Sequence, residues 1–140
     1  MQLDVLAFGA HPDDVELSCS GTLIKLVEAG KKVGIVDLTQ GEMGTRGSAQ
    51  LRLEEAQRAA DIMGLSAREN LNLGDAQFEV NQENKLKVIQ VIRKYRPTMI
   101  FMKLAEKNWV GVWTLPQRKS VSLEYSLFIF LYYLIMGLQV

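Results

Sequence analysis

The sequence predicts an α/β fold: a Rossmann-like parallel sheet sandwiched by helices. Three observations carry this. Short apolar runs alternate with amphipathic stretches through the first hundred residues. Glycine or an Arg-Pro pair stands just past each amphipathic stretch, where helices stop. Polar and glycine-rich segments follow the apolar runs, where open α/β folds place their chemistry.

The elements follow in order. Residues 3–9 (LDVLAFG) form an apolar strand. Residues 18–29 place Leu23, Ile24 and Val27 on one face and stop at Gly30, which reads as a helix. Residues 32–38 (KVGIVDL) form a second strand, and residues 39–48 a polar, glycine-rich loop. Residues 49–63 carry Leu53, Ala56, Ala60 and Met63 on one face, closed by Gly64. Residues 69–73 are a short third strand. Residues 84–95 set Leu86, Ile89 and Ile92 on one stripe, and Arg96-Pro97 breaks the helix. Residues 98–102 (TMIFM) are a fourth strand. This alternation means βαβ units, a parallel sheet and right-handed crossovers. The functional loops fall at 9–17, 39–48, 74–81 and after Met102.

Bulk properties narrow the function. A chain of 140 residues is one domain by size and can bury a core without staples. Sixteen basic and sixteen acidic residues cancel, so no basic excess points to nucleic acid. Cys19 is the only cysteine, which excludes an internal disulfide and fits a reducing compartment. Its neighbours Ser18 and Ser20 offer no base to activate a thiolate, so it reads as a packed small residue. The N-terminus has no basic n-region and reads as a strand rather than a signal peptide, so a cytoplasmic location is expected.

The chemistry concentrates in residues 10–16, Ala10-His11-Pro12-Asp13-Asp14-Val15-Glu16, which contain the only histidine. His11 and Asp14 stand three apart on a turn, so both can reach one ion, and zinc suits such a pair. Asp13 would then face water activated by the ion, whose pKa falls to about 7, and would act as general base. The amides opening the next helix could add positive potential. The plainer alternative is that Asp13 or Asp14 caps the following helix and that His11 is structural. A nucleotide-binding site is disfavoured, because residues 9–14 lack G-x-G-x-x-G.

AHPDDVE after an apolar strand resembles the signature of the LmbE-like, or PIG-L, zinc-dependent N-deacetylases. Further stretches resemble the same family in order: LTQGEMGTRG at 38–47, LRLEEA at 51–56, LNLGD at 71–75 and YRPTMIF at 95–101. The nearest branch resembles the deacetylases of bacillithiol biosynthesis. By position the resemblance implies His11 and Asp14 as zinc ligands, Asp13 as general base and Arg52 as a substrate-contacting side chain. It implies hydrolysis of the acetamide of an N-acetylglucosamine conjugate, N-acetylglucosaminyl malate in that branch, with zinc as cofactor and this small molecule as partner. On its own spacing Arg52 reads as a surface residue among Glu54, Glu55 and Arg58. Thr45 and Arg46, in the glycine-flanked loop, could equally touch substrate. Glu16 belongs to the signature and is expected to hold the loop.

The resemblance runs from residue 1 to about 102. The family's third zinc ligand comes from an HPDH segment after the fourth strand, together with its general acid. Residues 103–110 here read KLAEKNWV, without histidine. Glu106 is the one carboxylate there that chemistry would allow as a substitute. The C-terminal part is therefore expected to be truncated or replaced, most simply by a frameshift or recombination near codon 102. Little or no activity is expected of the chain. Residues 103–119 contain Trp109 and Trp113 and show no clear period, and residues 125–140 carry no charge. That apolar run is shorter than the roughly twenty residues needed to span a bilayer. It leaves a second reading open: a non-catalytic remnant that binds a partner or a membrane. Sheet surface left uncovered would favour homo-oligomers.

Overall fold

The structure is a computed structural model and describes residues 1–77, 79, 81–104 and 109–114. Its elements run β1 (Val5–Gly9), α1 (Asp14–Glu28), β2 (Val33–Asp37), α2 (Ala49–Met63), β3 (Ala67–Asn70), α3 (Gln82–Tyr95), β4 (Met99–Leu104) and β5 (Trp109–Thr114). They build one sheet in the order β3-β2-β1-β4-β5. The first four strands are mutually parallel, as the alternation predicts.

β1 lies at the centre, with Val5 opposite both Val33 of β2 and Met99 of β4. Every residue of β1 and β2 is buried, as expected of strands covered on both faces. The side-chain alternation of β1 divides the core in two. Leu6 and Phe8 face a cluster with Val88, Val91, Ile92 and Tyr95 of α3. Val5 and Ala7 face the other cluster, with Val15 and Leu23 of α1 and Met63 of α2. Among the described residues, α1 and α2 thus cover one face and α3 the other. The chain reverses its direction of travel across the sheet at β1, between β2 and β4. The loop leaving β1 therefore sits at a topological switch point, the crevice where such folds bind ligands.

Four details differ from the sequence reading. Helix α1 starts at Asp14, earlier than residue 18, because it follows directly on the His11 turn. Strand β3 pairs at Ala67–Asn70, ahead of the predicted 69–73. On α3, Leu86 is 44 % exposed, and the buried stripe is Val88, Val91, Ile92 and Tyr95. Spacing by strict threes drifts off a 3.6-residue period, whereas this stripe follows it. Finally, β5 adds an antiparallel edge strand within the stretch that showed no period, with Leu104 opposite Trp109. Glu106 and the apolar run at 127–138 lie outside the described residues. Among the described residues no helix is long and apolar enough to cross a membrane.

Candidate active site

The turn after β1 is tight. A Cβ on Gly9 would lie 3.0 Å from Cβ of Asp14 and 3.2 Å from the carbonyl oxygen of His11, so glycine suits this close approach. The amides of Asp13 and Asp14 both donate to that His11 carbonyl, at 2.9 and 3.2 Å. They close the turn rather than face outward as an anion site.

His11 ends between two carboxylates. Its backbone N–H donates to Oδ2 of Asp14 at 3.0 Å. Its ring Nδ1 lies 3.6 Å from the same oxygen. On the far side of the ring, Nε2 lies 2.8 Å from Oδ1 of Asp75. Asp14 raises the affinity of His11 for its proton most and Asp75 adds to it, both against burial, so the pKa is lifted to about 9. Burial works to raise the Asp75 carboxyl, but His11 and the Met43 amide outweigh it and hold it below the usual range.

The Nδ1 to Oδ2 distance of 3.6 Å is too long for a hydrogen bond. It is close to the separation, about 3.3 Å, of two donors that each sit about 2.0 Å from one tetrahedral ion. His11 and Asp14 thus stand as a two-donor pair. Among the described residues no three His, Cys, Asp or Glu side chains form a metal-binding group.

Asp13 occupies the N-cap position of α1 but makes no side-chain capping bond, so the capping alternative fails for it. Asp14 turns its Oδ2 back to the His11 amide. Asp13 has backbone angles of φ 156° and ψ −20°, a sparsely populated region for a residue with a side chain, costing on the order of 1–3 kcal/mol. Its carboxylate is half exposed and lines a cleft of about 510 Å³, with Pro12, Thr45, Arg46, Arg52 and Glu55 on the walls.

Arg52 leaves the solvated face of α2 that its spacing suggested. Its guanidinium donates to the carbonyl of Gly41 (3.1 Å), the carbonyl of Pro12 (3.4 Å) and Oδ2 of Asp13 (3.3 Å). It ties α2 to two loops and to the Asp13 carboxylate at the cleft wall. Arg46 and Thr45 are exposed on the same cleft. Glu16 pairs with Arg68 of β3. Arg68 is 4 % exposed and also grips Asp37 at the end of β2 through two bonds, 2.9 and 3.1 Å. Cys19 packs against the core, and burial pushes its thiol up, away from the reactive thiolate.

Sequence reasoning gave no role to Asp75, Arg68 or Asp37. The signal for the last two was present: a carboxylate inside an apolar strand needs a buried partner. Asp75 lay in a quoted motif, but only the fold brings it to His11.

Residues 6–109 match the PIG-L family, GlcNAc-PI de-N-acetylase. The chain belongs to this family. The match continues past Met102, where the recognisable motifs end, and reaches the first residue of β5. The PIG-L chain is 36 % identical over 105 residues to the diacetylchitobiose deacetylase of Thermococcus kodakarensis, covering 70 % of this chain and 39 % of the relative. A crystal structure of the conserved protein TT1542 from Thermus thermophilus superposes with a TM-score of 0.67 at 41 % identity, covering 71 % of this chain and 45 % of that one. The N,N'-diacetylchitobiose deacetylase of Pyrococcus horikoshii superposes with a TM-score of 0.70 at 25 % identity, covering 96 % and 53 %. The PIG-L chain thus spans about two fifths to one half of these relatives.

Proposed function

We propose that this chain carries one half of a zinc-dependent N-deacetylase site for an N-acetylated amino-sugar conjugate. The observation that carries the reading is the setting of His11, with Asp14 beside one ring nitrogen, Asp75 on the other, and Asp13 next to them on the cleft wall. Membership of the PIG-L family and likeness to deacetylases of an N-acetylated sugar support it. The ordered motifs favour the bacillithiol branch, with N-acetylglucosaminyl malate as substrate and a cytoplasmic site of action.

His11 Nδ1 and Asp14 Oδ2 would hold the zinc. When bound there, the ion supplies Lewis-acid chemistry and brings water at the site into a titration range near pH 7. Asp13 would take a proton from a water in the cleft as the water oxygen attacks the acetamide carbonyl. The C–N bond would then break as that proton passes to the leaving nitrogen, giving acetate and a free amine. Arg52 keeps the Asp13 carboxylate at the cleft, and with Arg46 and Thr45 it lines the space for the polar conjugate. Glu16 anchors the turn to β3. Two protein donors hold zinc more weakly than three, so the chain by itself is expected to turn over slowly or not at all.

The test is a zinc titration of the purified chain beside an acetate-release assay on N-acetylglucosaminyl malate and N,N'-diacetylchitobiose. Weak 1:1 zinc uptake, lost in His11→Ala, is expected. A wild-type chain that takes up no zinc sinks the metal reading. Turnover of about one per second or faster, an ordinary enzyme rate, overturns the expected low activity.

A further inference from the structure

We infer that Asp75 is a positioning residue: it holds the His11 ring by Nε2–H, so that Nδ1 and Asp14 Oδ2 are jointly presented to a divalent cation. This rests on the metal reading above, and it assigns a residue outside the two-donor pair.

The geometry of Asp75 is specific. Oδ1 is 2.8 Å from His11 Nε2, and Oδ2 accepts the Met43 N–H at 3.2 Å. The amide of Asp75 itself donates to Oε1 of Glu42 at 2.7 Å. The loops leaving β1, β2 and β3 therefore meet on this one residue. Its side chain is 13 % exposed, so water competes little for these contacts. Gly74 before it has φ +88° and Ala76 after it has φ +57°, a backbone bent on both sides of the carboxylate.

The consequence for His11 follows from ring chemistry. A neutral imidazole carries one N–H, and the partner of that N–H sets which nitrogen keeps a lone pair. Asp75 offers only acceptor oxygens when ionised, so it selects the Nε2–H form. Flipping the ring about Cβ–Cγ would put a carbon where Nε2 now bonds, so the same contact fixes the orientation. The lone pair is left on Nδ1, the atom 3.6 Å from Asp14 Oδ2. Carboxylates placed behind metal-bound histidines in this way typically contribute 10–100-fold to metal affinity.

His11 is the only histidine in the sequence, so imidazole ¹⁵N resonances report on it without ambiguity. Three proteins are compared: wild type, Asp75→Ala and Asp75→Asn. In the zinc-loaded wild type, coordination at Nδ1 with Nε2–H retained is expected. Zinc affinity should fall 10–100-fold in Asp75→Ala. It should fall much less in Asp75→Asn, which keeps an acceptor oxygen. At alkaline pH, once the ring has lost its second proton, the metal-free wild type should show the Nε2–H tautomer.

Coordination through Nε2, or an Asp75→Ala protein that binds zinc as tightly as wild type, overturns the inference while leaving the metal reading intact. A metal-free wild type in the Nδ1–H tautomer overturns it as well, and this holds even if Asp75→Ala fails to fold. Zinc that binds neither wild type nor variants overturns the metal reading, and the cation half of the inference with it. The metal-free spectrum then still decides whether Asp75 holds the ring.

Discussion

Nε2 of His11 and Oδ1 of Asp75 meet at 2.8 Å across 64 positions of sequence. The contact joins the loop after β1 to the loop after β3, at the carboxyl ends of the strands. It gives a histidine that sequence alone left between structural and functional readings a fixed partner at Nε2, with an Asp14 oxygen 3.6 Å from Nδ1. The strain at Asp13 lies two residues away, and Arg52 offsets part of its cost by bonding both Asp13 and the Pro12 carbonyl. The turn after β1 is therefore fixed from two sides, by Asp75 through the ring and by Arg52 through the carboxylate.

The metal-free protein should lose stability as pH rises from about 6.5 to about 9. The folded pKa of His11 is lifted from 6.5 to about 9 by Asp14 and Asp75. Between those values the folded state holds a proton that the unfolded chain has released, so stability falls with rising pH. The contribution is complete below 6.5 and gone above 9. The ring is about one-third exposed, so solvent screening leaves it on the order of 1 kcal/mol. Urea unfolding of wild type and His11→Gln across this range measures it. Parallel pH profiles for the two proteins would show the idea to be wrong.

Replacing Arg68 should be among the most damaging single changes in the fold. Its side chain and that of Asp37 are 4 % and 2 % exposed, and Arg68 also serves Glu16 and the carbonyl of Ala56. Burial pushes the Asp37 carboxyl up to about 6 even against the pull of the guanidinium. Arg68→Leu strands two carboxylates and should cost about 3–5 kcal/mol at pH 7. The loss should shrink at pH 5, where Asp37 can take up a proton, and Asp37→Asn added to Arg68→Leu should recover part of it. Urea denaturation at both pH values checks this. A cost below about 1 kcal/mol, the range of surface pairs, would show that the cluster contributes little.

The sequence made the scaffold legible because its cues are local. Apolar runs, glycine stops and the span of α2 depend on a few consecutive residues, and they placed His11 on the crevice loop. The site was legible only in part. His11 and Asp14 are three apart, so a turn suffices to bring them together. Asp75 and Arg52 reach the turn only once the sheet order β3-β2-β1-β4 is set; the family-like motifs LNLGD and LRLEEA contain them, but local spacing alone does not bring either to His11 or Asp13. Arg52 shows this best: an arginine among glutamates on a helix has a solvated face as its default, yet the loop at Gly41 draws it inward. Strand β5 escaped because its pairing with β4 is antiparallel, outside the βαβ pattern that revealed the other four.

Gly41 should prove necessary for Arg52 to reach Asp13. Its φ is +64°, and a Cβ there would stand 2.2 Å from Nη1 and 2.6 Å from Cζ of Arg52. Gly41→Ala therefore carries two costs. Left-handed backbone with a side chain costs roughly 1–2 kcal/mol, and the guanidinium must leave the Gly41 carbonyl, releasing Pro12 and Asp13 as well. A double-mutant cycle with Arg52→Ala separates them. In the Arg52→Ala background only the backbone cost remains, so the two changes should be coupled by about 1 kcal/mol or more, as expected of residues in contact. Arg52→Lys should not restore the wild type, because an ammonium is a point charge and cannot span three oxygens in a planar fork. Denaturant unfolding of the four proteins gives the coupling directly. Strict additivity would mean that Gly41 serves only its own turn, and that Arg52 holds Asp13 without needing the space it leaves.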